Sequence, residues 1–363
     1  MDFRYFEFDA EAASREELLQ RLRRLFHELL LRAGGDVEEA MRWLDALAKR
    51  YGLWRHGLDA KALREWLERQ GEIQRAGGRH RLSARGEQVL RRESLDEVFS
   101  SLARDAAGEH RVPAAGEGFE RLPETRPWVF GDAVDRIDAG ATLRNALSRG
   151  LEALEVREAD LEVHETEHHS SCATVLLIDV SHSMVLYGED RITPAKRVAM
   201  ALVELIRTRY PKDSLQVATF GDEAREVALD SLPYLSAGPF HTNTRAALVL
   251  ARDMLRRKKQ ANRQVLMVTD GKPSCLTERN GKLYKNPFGL DRRVVDKTLD
   301  EAVACRREGI PVTTFMLTHD PLLVGFVEEF TAANRGRAYY SRPGELGAFL
   351  LVDYLRNRRR RVR

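Results

Sequence analysis

The stretch "LLIDVSHSM", residues 176–184, decides the fold. An aliphatic run passes without a break into Asp179, and Ser181 and Ser183 follow at alternate positions. A continuous Val/Ile/Leu run suits a strand whose sheet is covered by helices on both faces. In extended backbone, residues two apart point the same way, so Asp179, Ser181 and Ser183 can converge on one point beyond the strand end. Outward from this stretch, apolar strands and amphipathic helices alternate from Thr174 onward. Strands are expected at "ATVLLID", "SLQVATF", "REVAL", "RQVLMVTD", "PVTTFML" and "RAYYS", with helices near 194–209, 245–257, 294–308, 321–334 and 346–358. That order implies an α/β fold, a doubly wound and mostly parallel sheet whose ligands bind at the C-terminal strand ends.

Two further pieces lie where a convergent site needs them. "GPFHTNTRAAL" sets Thr242 in a loop just before a helix, and "QVLMVTDGKPS" ends a second buried strand in Asp270, next to a glycine. Hydroxyl and carboxylate oxygens of this kind suit a hard cation such as Mg²⁺. D-x-S-x-S taken alone also fits a plain turn with a helix N-cap. A haloacid-dehalogenase phosphatase begins similarly, but usually carries a second acid where this chain has Ser181. No G-x-S-x-G elbow and no G-x-x-x-x-G-K-[ST] loop occurs, which weighs against a serine hydrolase and against ATP hydrolysis by this chain.

With Asp179, Ser181, Ser183, Thr242 and Asp270 in this order, the segment from about 170 to 355 resembles the von Willebrand factor A domain and its metal-ion-dependent adhesion site. The resemblance implies that these five residues coordinate Mg²⁺ or Mn²⁺, the serines and threonine directly and one or both aspartates through water. The chain is also similar to bacterial cytosolic A-domain proteins encoded with MoxR-type AAA+ ATPases, including those related to magnesium chelatase, in which a helical region precedes the A domain. It therefore implies a non-enzymatic adaptor that docks such an ATPase, or its client, through an acidic side chain completing the metal shell. Two aspartates leave little surplus negative charge on a bound Mg²⁺, and a coordination position remains for that side chain.

The amino-terminal hundred residues read as helical. Leu18, Leu22, Leu25 and Leu29 share one helix face, ended by Gly34-Gly35. Asp36 with Glu39 resembles a capping box for a helix through Met41, Leu44, Leu47 and Tyr51. A third helix is expected from about Leu58 to Gln70, and Gly77-Gly78 can turn a hairpin between "EIQR" and "RHRL". Ser83 starts a further helix, and Ser94 with Glu97 caps one more. Three helices, a hairpin and another helix resemble a winged-helix module, which raises a rival function, a nucleic-acid-associated regulator. Its third helix interleaves Lys61, Arg64 and Arg69 with Glu65 and Glu68, whereas a DNA-reading helix is usually clearly basic. Arg75, Arg79, His80 and Arg81 of the hairpin, and the tail "RNRRRRVR", are the groups such a regulator would use.

The expected organisation is thus a helical, winged-helix-like domain over 1–105, a Gly/Pro/Ala-rich linker over 106–123, a connecting segment over 124–170, the A domain over 171–357 and a basic tail over 358–363. A helix is expected around Thr142 to Leu154, and "LEVHETE" reads as a strand. The net charge of +3 gives no global field favouring nucleic acid or membrane. Three cysteines without CxxC spacing fit a reducing compartment, and the first residues carry neither a basic start nor an apolar run. The expected location is the cytosol. Of the remaining candidates, "HETEHH" (164–169) reads as a solvated edge before a zinc site, His182 as surface-exposed, and Cys275 as a bystander thiol. The insert "LTERNGKLYKNPFGLDRR" (276–293) reads as a polar loop beside the proposed metal face.

Overall fold

The computed structural model describes residues 15–105, 125–128, 137–148, 156–164, 171–188, 190–260, 262–270, 272–278, 280–286, 289–318 and 320–358. They fall into two compact units, one drawn from residues 1–108 with 170–363 and the other from 109–169.

The larger unit begins with α1 (Arg15–Arg32), α2 (Val37–Tyr51), α3 (Ala60–Arg69), the hairpin β1 (Ile73–Ala76) and β2 (Arg79–Leu82), and α4 (Ala84–Asp105). Asp36 caps α2 as expected, its carboxylate accepting the Glu39 N–H at 3.0 Å. Gly77 and Gly78 both have positive φ, 60° and 78°, the pair a type I′ hairpin turn requires. Leu63, Trp66 and Leu67 of α3 are buried, whereas Tyr51 at the end of α2 is exposed. One expectation is corrected: no helix starts at Ser94. It sits inside the continuous α4, where its hydroxyl donates to the Leu90 carbonyl at 2.7 Å. A serine hydroxyl can bond back to the carbonyl four residues earlier in the same helix, so the same residue type serves a helix interior as well as a cap.

The smaller unit holds β3 (Thr125–Pro127), α5 (Ala139–Leu147) and β4 (Glu162–His164). β3 and β4 pair antiparallel, and Asp138 caps α5. The helix expected to reach Leu154 ends at Leu147 with Ser148 as its C-cap, and residues 149–155 lie outside the described residues, as do 165–169 of "HETEHH".

The larger unit continues with β5 (Cys172–Asp179), α6 (Ile192–Arg209), β6 (Ser214–Phe220), β7 (Ala224–Val227), α7 (Thr244–Arg256), β8 (Asn262–Thr269), β9 (Cys275–Thr277), β10 (Leu283–Lys285), α8 (Arg292–Arg307), β11 (Val312–Met316), α9 (Pro321–Asn334), β12 (Arg337–Tyr340) and α10 (Leu346–Arg358). The main sheet has six strands in the order β12-β11-β8-β5-β6-β7, all parallel except the short edge strand β7. This is the doubly wound, mostly parallel α/β fold read from the sequence.

Every residue of β5 is buried, because both faces are covered. Its side chains alternate between two cores: Leu176 and Ile178 join α6 and α10, while Ala173, Val175 and Leu177 join α7, α8 and α9. The first core does not stop at α6. It runs on through Leu22, Phe26 and Leu30 of α1 and Leu90 and Val98 of α4, so the amino-terminal helices form a third layer over α6. Thirteen of the eighteen residues of α6 are buried, as expected for a helix covered on both sides.

Polar groups fix this stacking. Lys196 of α6 donates to the carbonyls of Leu31 at the end of α1, Pro233 (3.2 Å) and Leu235 (2.9 Å). Arg197 pairs with Glu28 of α1 and with Glu97 of α4 (2.8 Å).

Candidate functional site

β5 and β8 are neighbours at the centre of the sheet, in register from Cys172 with Asn262 to Ile178 with Val268. The chain leaves β5 toward β6 on one side and returns through β8 on the other. The crevice beyond their C-terminal ends is thus the topological switch point, where open α/β sheets bind ligands. Asp179 ends β5 and Asp270 directly follows β8.

Asp179 is fully buried, and both its oxygens are engaged. Oδ1 accepts the Ser181 N–H at 2.8 Å, and Oδ2 accepts the Thr269 hydroxyl at 2.6 Å. The first bond folds the chain back over the strand end and brings the Ser181 and Ser183 hydroxyls to 3.0 Å from each other. Asp270 is buried too. Its Oδ2 lies 3.5 Å from Arg191 Nη1, while Oδ1 has no hydrogen-bond partner among the described residues. A buried carboxylate oxygen without a donor is uncommon and calls for an explanation.

Thr242 is positioned through its backbone. Its N–H donates to Ser274 Oγ at 3.0 Å, and its carbonyl accepts the N–H groups of Ser274 (3.0 Å) and Cys275 (3.3 Å). That ties the loop before α7 to the loop that follows Asp270. The next residue, Asn243, caps α7 and donates to the Asp222 carbonyl (3.0 Å) and Thr277 Oγ1 (2.9 Å). Thr242 is itself buried.

The structure therefore links Asp179, Ser181, Ser183 and Asp270 at the strand ends and pins Thr242 to the adjoining loop. Burial raises the Asp179 carboxyl above its usual range, and the neighbouring Asp270 charge raises it further. Burial likewise raises Asp270, against the opposing effects of the Ser183 hydroxyl, Arg191 and Lys272. The pair is short of positive charge, and its donors are all oxygen. An oxygen-only set with an orphaned carboxylate oxygen fits Mg²⁺ or Mn²⁺ better than a thiolate- or imidazole-seeking metal. Among the described residues no group of three or more His, Cys, Asp and Glu side chains is placed to share a metal, so hydroxyls would have to complete any shell.

Three residues of this arrangement escaped the sequence reading: Thr269, Ser274 and Arg191. Thr269 was findable, because continuing the β5–β8 register by one residue sets it beside Asp179. Arg191 carries no local signal, being brought to Asp270 only by the fold.

The rim combines polar and apolar groups. His182 is exposed, and its N–H donates to the Phe240 carbonyl at 3.0 Å. Phe240 is itself exposed but held: a Cβ on Gly221 would lie 2.7 Å from it, and one on Gly238 only 2.3 Å from its ring. Val185 is exposed nearby in sequence, in the turn after Ser183. Cys275 is buried, and burial pushes its thiol up to about 12, so it is inert near neutral pH. The insert read as a polar loop contains the antiparallel hairpin of β9 and β10, anchored by Lys285 to Asp222 at 2.7 Å.

The basic groups of the amino-terminal helices and hairpin are largely spent on acids. His80 bridges Glu38 (2.7 Å) and Glu68 (2.8 Å), Arg64 lies 3.5 Å from Glu38, and Arg75 lies 3.9 Å from Glu68. Arg79 and Arg81 are exposed. Residues 359–363 of the arginine tail lie outside the described residues. Among the described residues no helix is long and apolar enough to cross a membrane.

The family match agrees with this architecture. Residues 172–355, just over half of the chain, match the family described as Rv0959-like protein, vWA domain, and residues 120–166 match the Rv0959-like protein third domain. Uncharacterized protein Rv0959 of Mycobacterium tuberculosis and uncharacterized protein Mb0984 of Mycobacterium bovis are each 35% identical over 366 residues, covering 97% of this chain and 52% of their own length. The chain spans about half the length of the curated relatives it matches. Among solved structures, the vWF domain of the type V pili tip protein Mfa5 from Porphyromonas gingivalis is similar at TM-score 0.42 and 12% identity, over 53% of this chain and 98% of that one. The pilus adhesin SpaC from Lactobacillus rhamnosus GG, in its open conformation, gives TM-score 0.40 and 16% identity over 52% and 30%. The match spans the sheet from β5 to α10 and every residue of the strand-end cluster, and the chain belongs to the Rv0959-like family of proteins carrying a von Willebrand factor A domain.

Proposed function

We propose that the chain is a metal-dependent protein-interaction adaptor. A divalent cation at the ends of β5 and β8 would be completed by an acidic side chain of a partner protein. The observation that carries this reading is the buried Asp270 Oδ1 without a donor, beside a second buried carboxylate and paired serine hydroxyls. When bound, Mg²⁺ or Mn²⁺ supplies a Lewis-acidic point with an exchangeable coordination position. The hydroxyls of Ser181, Ser183 and Thr242 are the proposed direct ligands. Asp179, with both oxygens already engaged, is suited to orient Ser181 and act through water. Phe240 offers a rigid aromatic contact beside the polar centre, the kind of anchor that dominates protein interfaces.

The partner proposed is a MoxR-type AAA+ ATPase or its client, on the strength of the sequence resemblance. The alternative reading, a phosphohydrolase centred on Asp179, is separated from the adaptor by the hydrolysis assay below. The glutamates paired with His80, Arg64 and Arg75 weaken the case for phosphate contacts by the amino-terminal helices.

Titration of the full chain with Mn²⁺ is expected to give saturable binding that Asp179→Ala abolishes and Thr242→Val weakens, with the far-UV spectrum unchanged. Pull-down from native lysate is expected to yield an AAA+ ATPase that chelator releases. Recovery of the same partner at equal yield in chelator and with Asp179→Ala would exclude the adhesion site as what holds it. Cation-dependent hydrolysis of phosphate esters, lost in Asp179→Ala, would replace the adaptor by an enzyme.

A further inference from the structure

We infer that Arg191 is the resident counter-cation of the Asp270 carboxylate and sets how tightly this site holds a divalent metal. The inference rests on the metal-site reading above and goes beyond it, since no resemblance assigns Arg191 a role. Arg191 immediately precedes α6. Its backbone N–H donates to the Met184 carbonyl at 3.0 Å, and the Met184 N–H donates to the Ser181 carbonyl at 3.1 Å. Its main chain is thereby stapled to the turn that carries the two serine hydroxyls. From that fixed base its guanidinium reaches within 3.5 Å of Asp270 Oδ2, with side-chain exposures of 13% for the arginine and 5% for the aspartate.

A guanidinium stays charged at any accessible pH, so this partner cannot be removed by deprotonation. A divalent ion bound through Asp270 must share the carboxylate with a fixed positive charge a few ångströms away. In a partly buried site that repulsion is barely screened by solvent. Two aspartates and one arginine carry one net negative charge, so a site loaded with a divalent ion carries one net positive charge. Arg191 thus weakens the hold on the metal, while the loaded centre attracts a carboxylate from outside more strongly. Lys272, in the loop after Asp270, adds to the same field.

The test is a Mn²⁺ titration of the full chain, followed by electron paramagnetic resonance of the free ion, for wild type, Arg191→Gln, Arg191→Met and Arg191→Lys. Both neutral variants are expected to bind Mn²⁺ at least about tenfold more tightly than wild type, since a unit charge is removed from within a few ångströms of the ion. Arg191→Lys is expected to stay near wild type. Two neutral side chains of different polarity guard against one of them failing to fold, which circular dichroism reports. Unchanged or weaker binding in both folded neutral variants, with wild type binding normally, overturns the role of Arg191 and leaves the metal site standing. Absence of binding in wild type and all variants overturns the metal site, and this inference falls with it.

Discussion

Asp179 shows how one side chain can be costly to the fold and still be suited to a proposed site. It is fully buried, next to a second carboxylate, and its pKa is raised first by burial and then by Asp270. The charged form is therefore penalised in the folded chain but not in the unfolded one. A carboxyl with a raised folded-state pKa holds its proton longer when folded, so folding stability falls as pH rises from the ordinary carboxylate range through the raised value. Replacing it with the isosteric amide removes the penalty. Asp179→Asn is expected to stabilise the metal-free protein by about 1–2 kcal/mol at neutral pH and to flatten that fall. The same variant is expected to lose the stabilisation that Mn²⁺ should give wild type if the proposed site binds it. Thermal melts with chelator and with Mn²⁺, run across pH, check both halves. A variant less stable than wild type in chelator would mean that the hydrogen bonds to Ser181 and Thr269 outweigh the charge. At this scale the sequence was legible where chemistry follows spacing: alternation placed Asp179, Ser181 and Ser183 together, and the end of a second apolar run marked Asp270. It was silent on Arg191, whose approach to Asp270 exists only once α6 is packed.

Among the elements, α6 carries the most, because it is the middle layer between the sheet and the amino-terminal helices. Its Lys196 side chain is almost wholly buried, and burial lowers its pKa to about 8, with Asp190 opposing. The ammonium donates to three carbonyls, one of them Leu31 O at the C-terminal end of α1. Those acceptors include an end-of-helix carbonyl with no partner inside its own helix, and the positive charge also complements the helix dipole. Lys196→Ala removes the ammonium from the Pro233 and Leu235 carbonyls, leaves Leu31 O with the Gly34 N–H alone (3.3 Å), and opens a cavity. The expected loss is about 3 kcal/mol, larger than for a surface lysine. Urea denaturation checks this, and a loss below about 1 kcal/mol would mean that water replaces the ammonium without penalty. Element boundaries were readable wherever a cap or breaker is local, as at Asp36 and at Gly77-Gly78. The failure at Ser94 has a physical cause: Ser followed by Glu looks like a helix start. Only long-range packing of Leu90 and Val98 into the shared core shows that the helix continues.

For the larger unit as a whole, the amino-terminal helices and the sheet are parts of one core, which the sequence order hides. The linker composition after residue 105 suggests a helical module on a tether, yet the core on that side of the sheet runs from Leu18 to Tyr354 without a break. By helical spacing, Met200 and Val203 share the face of α6 that carries Lys196, and both are buried. Arg91 of α4 is buried against the same helix, 3.8 Å from Glu204 and 3.4 Å from Asp230. Removing residues 1–105 would therefore bare a contiguous apolar and ionic face, at about 1.5–3 kcal/mol for each large side chain returned to water. Such a loss is comparable to the whole stability of an ordinary domain. A chain truncated to residues 171–357 is expected to aggregate or to bind a hydrophobic dye at room temperature. Full-length chain is expected to melt its amino-terminal and sheet regions together, in one transition seen alike by tryptophan fluorescence and far-UV circular dichroism. Two separated transitions, or a soluble truncated domain melting at the full-length temperature, would mean that the third layer is a docked accessory and not part of the core. One shared transition would mean that any partner acting on the amino-terminal helices also acts on α6, whose first residue directly follows Arg191.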